Sequence, residues 1–462
     1  MGPVAVFAAA LLLCLAPLMR GGNRQIALIG LEVVAFAFLL SLWIRWAMGA
    51  WRAPHPLVQS RIQSALLWIL LLSPTWLALI FLFPLPMDVW AELPGREIYP
   101  PLLREAGIAA DAWLPISLLP DVTKASLLVG SLLVAGFLAG YASGLPQLKF
   151  LLSLVVGMAL LQIVIGLLQV SGGGQSTLYF EAAGGRPVGT FANPNHLANY
   201  ISVALAAYIW LGWSSLVGSQ GGTAEPKSSF AGRQAQALWV AGGLLLVLGI
   251  LMSQSRGAVL TGLPAAALAF GIVVVAGGRT LSWRVTVLLL SAVLVGAATL
   301  VGIGALLSRF ELDFLSSSAE YRSLLGSTTM DGAKVFWPFG AGWGTYAEVY
   351  PLFQPAVIAG YADYAHQDYA QMLFEGGVFS LVLMGAFLWL AVSRAIWLVR
   401  ALWRNKTFTP EEMAVAVCGL GLLGFLTHSL AEFNMHIPTN AIVGALLAGV
   451  YLRPMRRSEG SK

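Results

Sequence analysis

Three short polar stretches interrupt an otherwise apolar chain, and each contains residues able to do chemistry. The first runs Gly185-Arg186-Pro187-Val188-Gly189-Thr190-Phe191-Ala192-Asn193-Pro194-Asn195-His196. The second is the tight Ser253-Gln254-Ser255-Arg256-Gly257. The third combines Tyr321-Arg322, the glycine-aromatic run from Trp337 to Tyr346, and Ala365-His366-Gln367-Asp368-Tyr369, with Glu375-Gly376-Gly377 following. Guanidinium groups present a planar fork suited to phosphate oxygens, and Arg256 falls where a helix N-terminus would add backbone N–H donors. Snorkelling beside a membrane is the plainer role for Arg256. Imidazole titrates near neutrality, so His366 is the best candidate for a base; a solvated loop histidine is the alternative. Asn193 before Pro194 matches a helix N-cap followed by proline in the first turn, which gives Asn193, Asn195 and His196 a structural role to weigh against a functional one.

The elements that must position these groups follow from composition. Of 462 residues, 58% are hydrophobic and 10% charged, against roughly 25% charged in a soluble domain. That excludes a water-soluble globular protein and predicts an all-α polytopic membrane protein, with apolar runs near the ~20 residues that span a bilayer. Twelve transmembrane helices are expected, at about 3–19, 25–44, 62–83, 123–141, 147–170, 196–217, 236–253, 257–276, 284–307, 372–399, 412–430 and 437–452. The first lacks the basic start and the small-residue exit of a signal peptide and counts as a helix. With both termini cytoplasmic, sixteen of the 26 Lys and Arg residues fall inside, against four acidic ones. This satisfies the positive-inside rule and accounts for the net charge of +5 without nucleic acid as a partner.

The whole chain, 1–462, then forms a single integral membrane domain. Two long non-cytoplasmic loops are expected at about 84–122 and 308–371, and a Gly/Ser-rich cytoplasmic linker at about 218–236. All three polar stretches face the non-cytoplasmic side. The glycines of 340–344 suit a close turn beneath aromatic rings that could stack on sugars. His428 and the Glu432–Pro438 connection read chiefly as polar packing between the last two helices, and Glu32 as a partnered or proton-carrying acid within the second span. Cys14 and Cys418 both lie in apolar runs, so no disulfide framework is available. No metal-ligand motif or phosphate-binding P-loop occurs, and no metal or cofactor is expected.

The residues Arg186-Pro187-Val188-Gly189-Thr190-Phe191-Ala192-Asn193-Pro194-Asn195-His196, Ser255-Arg256-Gly257, Gly340-Ala341-Gly342-Trp343-Gly344 and Ala365-His366-Gln367-Asp368-Tyr369 resemble the bacterial O-antigen ligase and O-antigen polymerase superfamily. Phe433-Asn434-Met435-His436-Ile437-Pro438 is also similar to some members. The order and spacing of these pieces extend the resemblance over most of the chain.

The resemblance implies a membrane glycosyltransferase in the bacterial inner membrane, with the two large loops periplasmic. Its donor would be a glycan linked to undecaprenyl diphosphate, and its acceptor lipid A-core or another lipid-linked glycan. It implies that Arg186 and Arg256, and with less force Arg322, bind the donor diphosphate, and that His366 serves as base or orienter of the acceptor hydroxyl. Asn193, Asn195, His196, Gln367, Asp368 and Tyr369 would support the site. Gln367 departs from the family pattern, in which asparagine commonly follows the histidine. The readings that remain open are ligase transfer to lipid A-core, polymerisation of lipid-linked repeats and transfer to a protein hydroxyl. From another class comes a membrane solute transporter, which polar groups at one face rather than the midplane disfavour.

Overall fold

The computed structural model describes residues 1–50, 60–173, 176, 178, 185–218, 229–277, 312–358 and 360–455. The expected span at 284–307 and residues 219–228 of the expected linker lie outside them. The described chain is mostly helical: α1 (Pro3–Leu18), α2 (Gln25–Ala47), α3 (Arg61–Leu71), α4 (Ser73–Phe81), α5 (Met87–Ala91), α6 (Tyr99–Glu105), α7 (Pro120–Tyr141), α8 (Leu145–Ser171), α9 (Pro194–Gly218), α10 (Ser229–Met252), α11 (Arg256–Ala276), α12 (Leu312–Val335), α13 (Tyr346–Val349), α14 (Asp368–Asn405), α15 (Pro410–His428) and α16 (Pro438–Leu452). Two three-residue strands, β1 (Pro84–Pro86) and β2 (Trp113–Pro115), pair antiparallel and close the segment between α4 and α7.

Seven of the described helices are long and apolar enough to cross a membrane, or eight if the bent pair α3 and α4 is one span. The protein is therefore a multi-pass membrane protein, and the expected twelve spans are met in part. Helices α1 and α16 are apolar but only 16 and 15 residues long, short of the ~20 that reach across a bilayer. The run expected as one span at 62–83 is broken by a bend of 61°. Pro74, in the first turn of α4, is the reason: proline cannot continue the preceding helix and suits the start of the next.

Helix α9 lies at the centre, its spanning window 89% buried, packed by α8, α10, α11 and α15. Helices α7 and α16 approach most closely. A Cβ at Gly136 would lie 2.6 Å from the Ile442 carbonyl oxygen, and one at Gly140 would overlap that of Leu446. The spacing Gly136-x-x-x-Gly140 leaves a groove along α7 into which the α16 backbone settles, the small-residue packing that lipid-embedded helices use in place of a hydrophobic driving force.

The segment expected as a loop at 308–371 instead holds the 24-residue α12. Its Ser, Thr and charged residues hide it from a search for apolar runs. Arg96 clips the segment between α4 and α7 to the one that follows α12: its guanidinium donates to the Ile116 carbonyl at 2.6 Å, to that of Pro94 at 3.0 Å and to that of Gly340 at 3.5 Å. It also lies 5.7 Å from the ring centres of Trp90 and Phe336. Burial lowers its pKa to about 10, which leaves it charged at neutrality.

Candidate functional site

Four helices begin at one end of the bundle, around residues 428–440. Asn193 caps α9, its Oδ1 accepting from Asn195 N at 2.8 Å. Ser255 caps α11, its side chain accepting from Ala258 N at 3.4 Å. Asp368 opens α14, and its backbone N–H reaches the Ser429 carbonyl at 3.1 Å. Asn440, in the first turn of α16, donates to the His196 carbonyl at 3.1 Å. Helix N-termini carry partial positive charge suited to an anion, and the C-terminal end of α15 at His428 lies among them.

Glu432, in the connection between α15 and α16, organises this end. Its side chain is 1% exposed, and a carboxylate so placed must be paired. Oε1 accepts from Arg322 Nη2 at 2.6 Å and from Asn195 Nδ2 at 2.5 Å, while Oε2 lies 3.4 Å from His366 Nδ1. The second Arg322 nitrogen donates to the Ala431 carbonyl at 3.1 Å. Burial pushes the Glu432 pKa up, but the His366 contact and the Arg322 charge outweigh it and hold the carboxyl at about 2. Arg322 and His366 remain 34% and 28% exposed, so both can meet a ligand.

Phe433 supports the cluster from below. His196 and His366 stand edge-on to its ring at 4.5 and 4.8 Å, and Tyr364 stacks on it at 4.3 Å. His366 itself adopts a left-handed backbone (φ 50°), rare for a residue with a Cβ. The preceding residue is pinned: Ala365 N donates to Gln371 Oε1 at 3.1 Å, and Gln371 Nε2 donates to Glu375 Oε1 at 3.1 Å. Glu375 also accepts from Gly344 N at 2.9 Å and Tyr346 N at 3.3 Å, tying the glycine turn to the base of α14.

The residues singled out by sequence thus divide. Asn195, Arg322 and His366 come together on Glu432. His196 is buried beside them. Asp368 pairs with His436 at 2.6 Å and accepts from Met435 N at 2.9 Å. Tyr369 donates to the Leu426 carbonyl at 2.9 Å and Asn193 caps its helix, both packing roles. Gln367 Oε1 would lie 3.4 Å from a Cβ at Gly326, one turn along α12 from Arg322. Arg256 starts α11 beside Gly257, where a Cβ would come within 2.3 Å of His428 Nε2. His428 Nδ1 in turn sits 3.3 Å from Asn199 Oδ1. Arg186 precedes a segment gripped by α8: Gln169 Oε1 accepts from Val188 N at 3.0 Å and Gly189 N at 2.9 Å, and Gln162 Oε1 accepts from Thr190 N at 2.7 Å. Gln162 and Gln169 are two helical turns apart and share a face.

Two expectations are met only in part. The Glu432–Pro438 connection does link helices, since Glu432 bonds Arg322 of α12 and Asn195 of α9, but its carboxylate also faces His366 and so joins the candidate site. The aromatic platform is mostly interior. Tyr346 and Tyr350 are fully buried and stacked on one another at 4.8 Å, although Trp337 stays exposed. Among the described residues no group of three or more His, Cys, Asp and Glu side chains is placed to hold a metal ion.

Residues 241–385 match the family model described as O-antigen ligase. The matched segment is under a third of the chain, and over that segment the chain is similar to the O-antigen ligase family, in line with the resemblance carried by its motifs. The matched O-antigen ligase segment contains Arg256, Arg322 and His366 to Tyr369, while Arg186, Asn195 and Glu432 lie outside it. A comparison with curated proteins gave no match. The similarity over residues 241–385 supports a membrane enzyme of the glycosyltransferase type.

Proposed function

We propose that the protein transfers a glycan from undecaprenyl diphosphate to lipid A-core at the periplasmic face of a bacterial inner membrane, with inversion at the anomeric carbon. The observation that carries this reading is the meeting of Arg322, His366 and Asn195 at one buried carboxylate. On this reading both termini are cytoplasmic and the segments 84–122 and 308–371 are periplasmic.

Departure of a lipid diphosphate builds negative charge on phosphate oxygens. Arg322, Arg256 and Arg186 supply guanidinium donors for it, and preorganised charge of this kind costs no reorganisation at the moment of reaction. His366 Nδ1 faces Glu432, so Nε2 is the nitrogen left for the acceptor. It takes the hydroxyl proton as the acceptor oxygen bonds to the anomeric carbon and the bond from that carbon to the diphosphate breaks. A single backside displacement inverts configuration.

The test is the glycan profile of cells lacking the gene, complemented with wild type or Arg256→Ala. Ligase activity requires long lipid-diphosphate-linked polymer to accumulate beside bare lipid A-core, both in the deletion strain and with correctly inserted Arg256→Ala. Accumulated single repeats, or one repeat capping the core, would identify a polymerase, and an unchanged profile would remove glycan transfer altogether.

A further inference from the structure

The two oxygens of Glu432 are unequally served. Oε1 receives Arg322 at 2.6 Å and Asn195 at 2.5 Å. Oε2 and His366 Nδ1 face one another at 3.4 Å, and neither buried atom has a hydrogen-bond partner. Two such atoms cost free energy until they meet, so closure of a few tenths of an ångström would satisfy both. The carboxylate is meanwhile drawn towards the arginine.

We infer that Glu432 is a positioning residue that couples donor binding to the base: a lipid diphosphate engaging Arg322 loosens its hold on Glu432, whose carboxylate then closes on His366 Nδ1. This rests on the assignment of Arg322 to the diphosphate and His366 to the acceptor. Arg322 is the partner able to change allegiance, since it is 34% exposed while Glu432 is sealed. A diphosphate also offers it more negative charge than one carboxylate. The charge released inside the protein is worth more at His366 than it would be in water. It fixes the ring with Nε2 outward and stabilises the imidazolium formed when the acceptor proton arrives, so the base gains strength only once a donor is in place. Protons balance throughout: Glu432 stays ionised, and the one proton moved goes from the acceptor hydroxyl to His366 Nε2.

The groups facing Glu432 are Arg322 from α12, His366 ahead of α14, Asn195 and His196 from α9, and His428 from α15. A neutral glutamine at 432 preserves shape and removes the charge that all of them sense. Purified Glu432→Gln in proteoliposomes should lose about 100-fold in kcat, with the acid limb of its kcat profile moved to lower pH. It should bind donor as tightly as wild type or more tightly, because Arg322 no longer has a competing anion. A purely structural role would weaken donor binding and leave the pH limb in place. On a His366→Ala background the Glu432→Gln loss should vanish.

Wild-type kcat in Glu432→Gln, or weakened donor binding, would overturn the coupling while His366→Ala still reported on the transfer mechanism. Transfer surviving in His366→Ala would instead sink the mechanism beneath it. A measurement on the unmodified protein covers a variant that does not fold. The pH midpoint for modification of His366 by diethyl pyrocarbonate, read by mass spectrometry, should move upward on adding a short prenyl diphosphate. An unmoved midpoint refutes the inference.

Discussion

The Asp368 carboxylate meets the His436 imidazole at 2.6 Å, joining the first turn of α14 to the short turn that leads into α16. Burial lowers the proton affinity of His436, but the hydrogen bond and charge of Asp368 outweigh it, so its pKa rises above the ordinary 6.5. A raised imidazole contributes its stability in full below 6.5, and that contribution fades as pH climbs through the raised value. Thermal unfolding in detergent should therefore show a midpoint that falls as pH rises above the ordinary 6.5. Asp368→Asn should flatten that dependence and cost about 2 kcal/mol at the acid end; an unflattened profile would deny the pair its role.

Arg322→Ala removes the main cation from a carboxylate that is 1% exposed. Leaving such a charge uncompensated costs about 3 kcal/mol. The depressed pKa of Glu432, about 2, means its stabilising contribution is complete above the ordinary carboxyl value of 4.5 and disappears as pH falls towards 2. Without Arg322 that loss should begin at higher pH, so acid unfolding should move upward. Circular dichroism across an acid titration would show it, and a coincident transition in both proteins would mean that Arg322 does not hold the carboxylate.

How far the site was legible follows from where its contacts lie. Asn193 and Pro194 are neighbours, and a cap is a local pattern, so this helix start could be read directly. The apolar runs likewise announced most helices, because lipid imposes composition over a whole turn-by-turn length. Glu432 carried no such signal. Its partners Arg322 and Asn195 are 110 and 237 residues away, and a single acid between two apolar helices looks the same whether it packs or organises a site. Gln162 and Gln169 were invisible for a related reason: two isolated amides barely disturb an apolar run, yet they hold the backbone on which Arg186 sits. The bend at Pro74 was there to be read, since a proline within a long apolar run is a physical reason to divide it.

Gln371 holds the backbone next to His366 through the Ala365 N–H. Gln371→Leu keeps the bulk and removes the acceptor, leaving a buried N–H unsatisfied and the left-handed His366 less constrained. Turnover should fall about tenfold for the ~1.4 kcal/mol of lost positioning, with donor affinity unchanged because no arginine is touched. A loss confined to donor binding would contradict this.

Gly340 has φ 82°, and a Cβ there would lie 2.3 Å from the Glu375 carbonyl oxygen. That atom belongs to backbone and cannot swing aside. Gly340→Ala should cost about 3 kcal/mol from the combined strain and overlap. It should also disturb the adjoining turn, which reaches Glu375 through Gly344 and Tyr346. A thermal midpoint within a degree or so of wild type would show that the turn can move as a body.

Arg186 gives the test that separates charge from geometry. Gln162 and Gln169 fix the backbone that follows it, so a substitution at 186 changes the side chain on an anchored stem. Arg186→Lys keeps one positive charge but replaces a planar fork with a single ammonium, which cannot form two parallel bonds to a diphosphate. If the fork matters most as charge builds on the leaving group, kcat should fall roughly tenfold or more for the ~1.4 kcal/mol of a lost charge-assisted bond, while donor affinity changes less. Equal loss in both would mean that Arg186 grips ground state and transition state alike, and unchanged kinetics would reduce its contribution to charge alone.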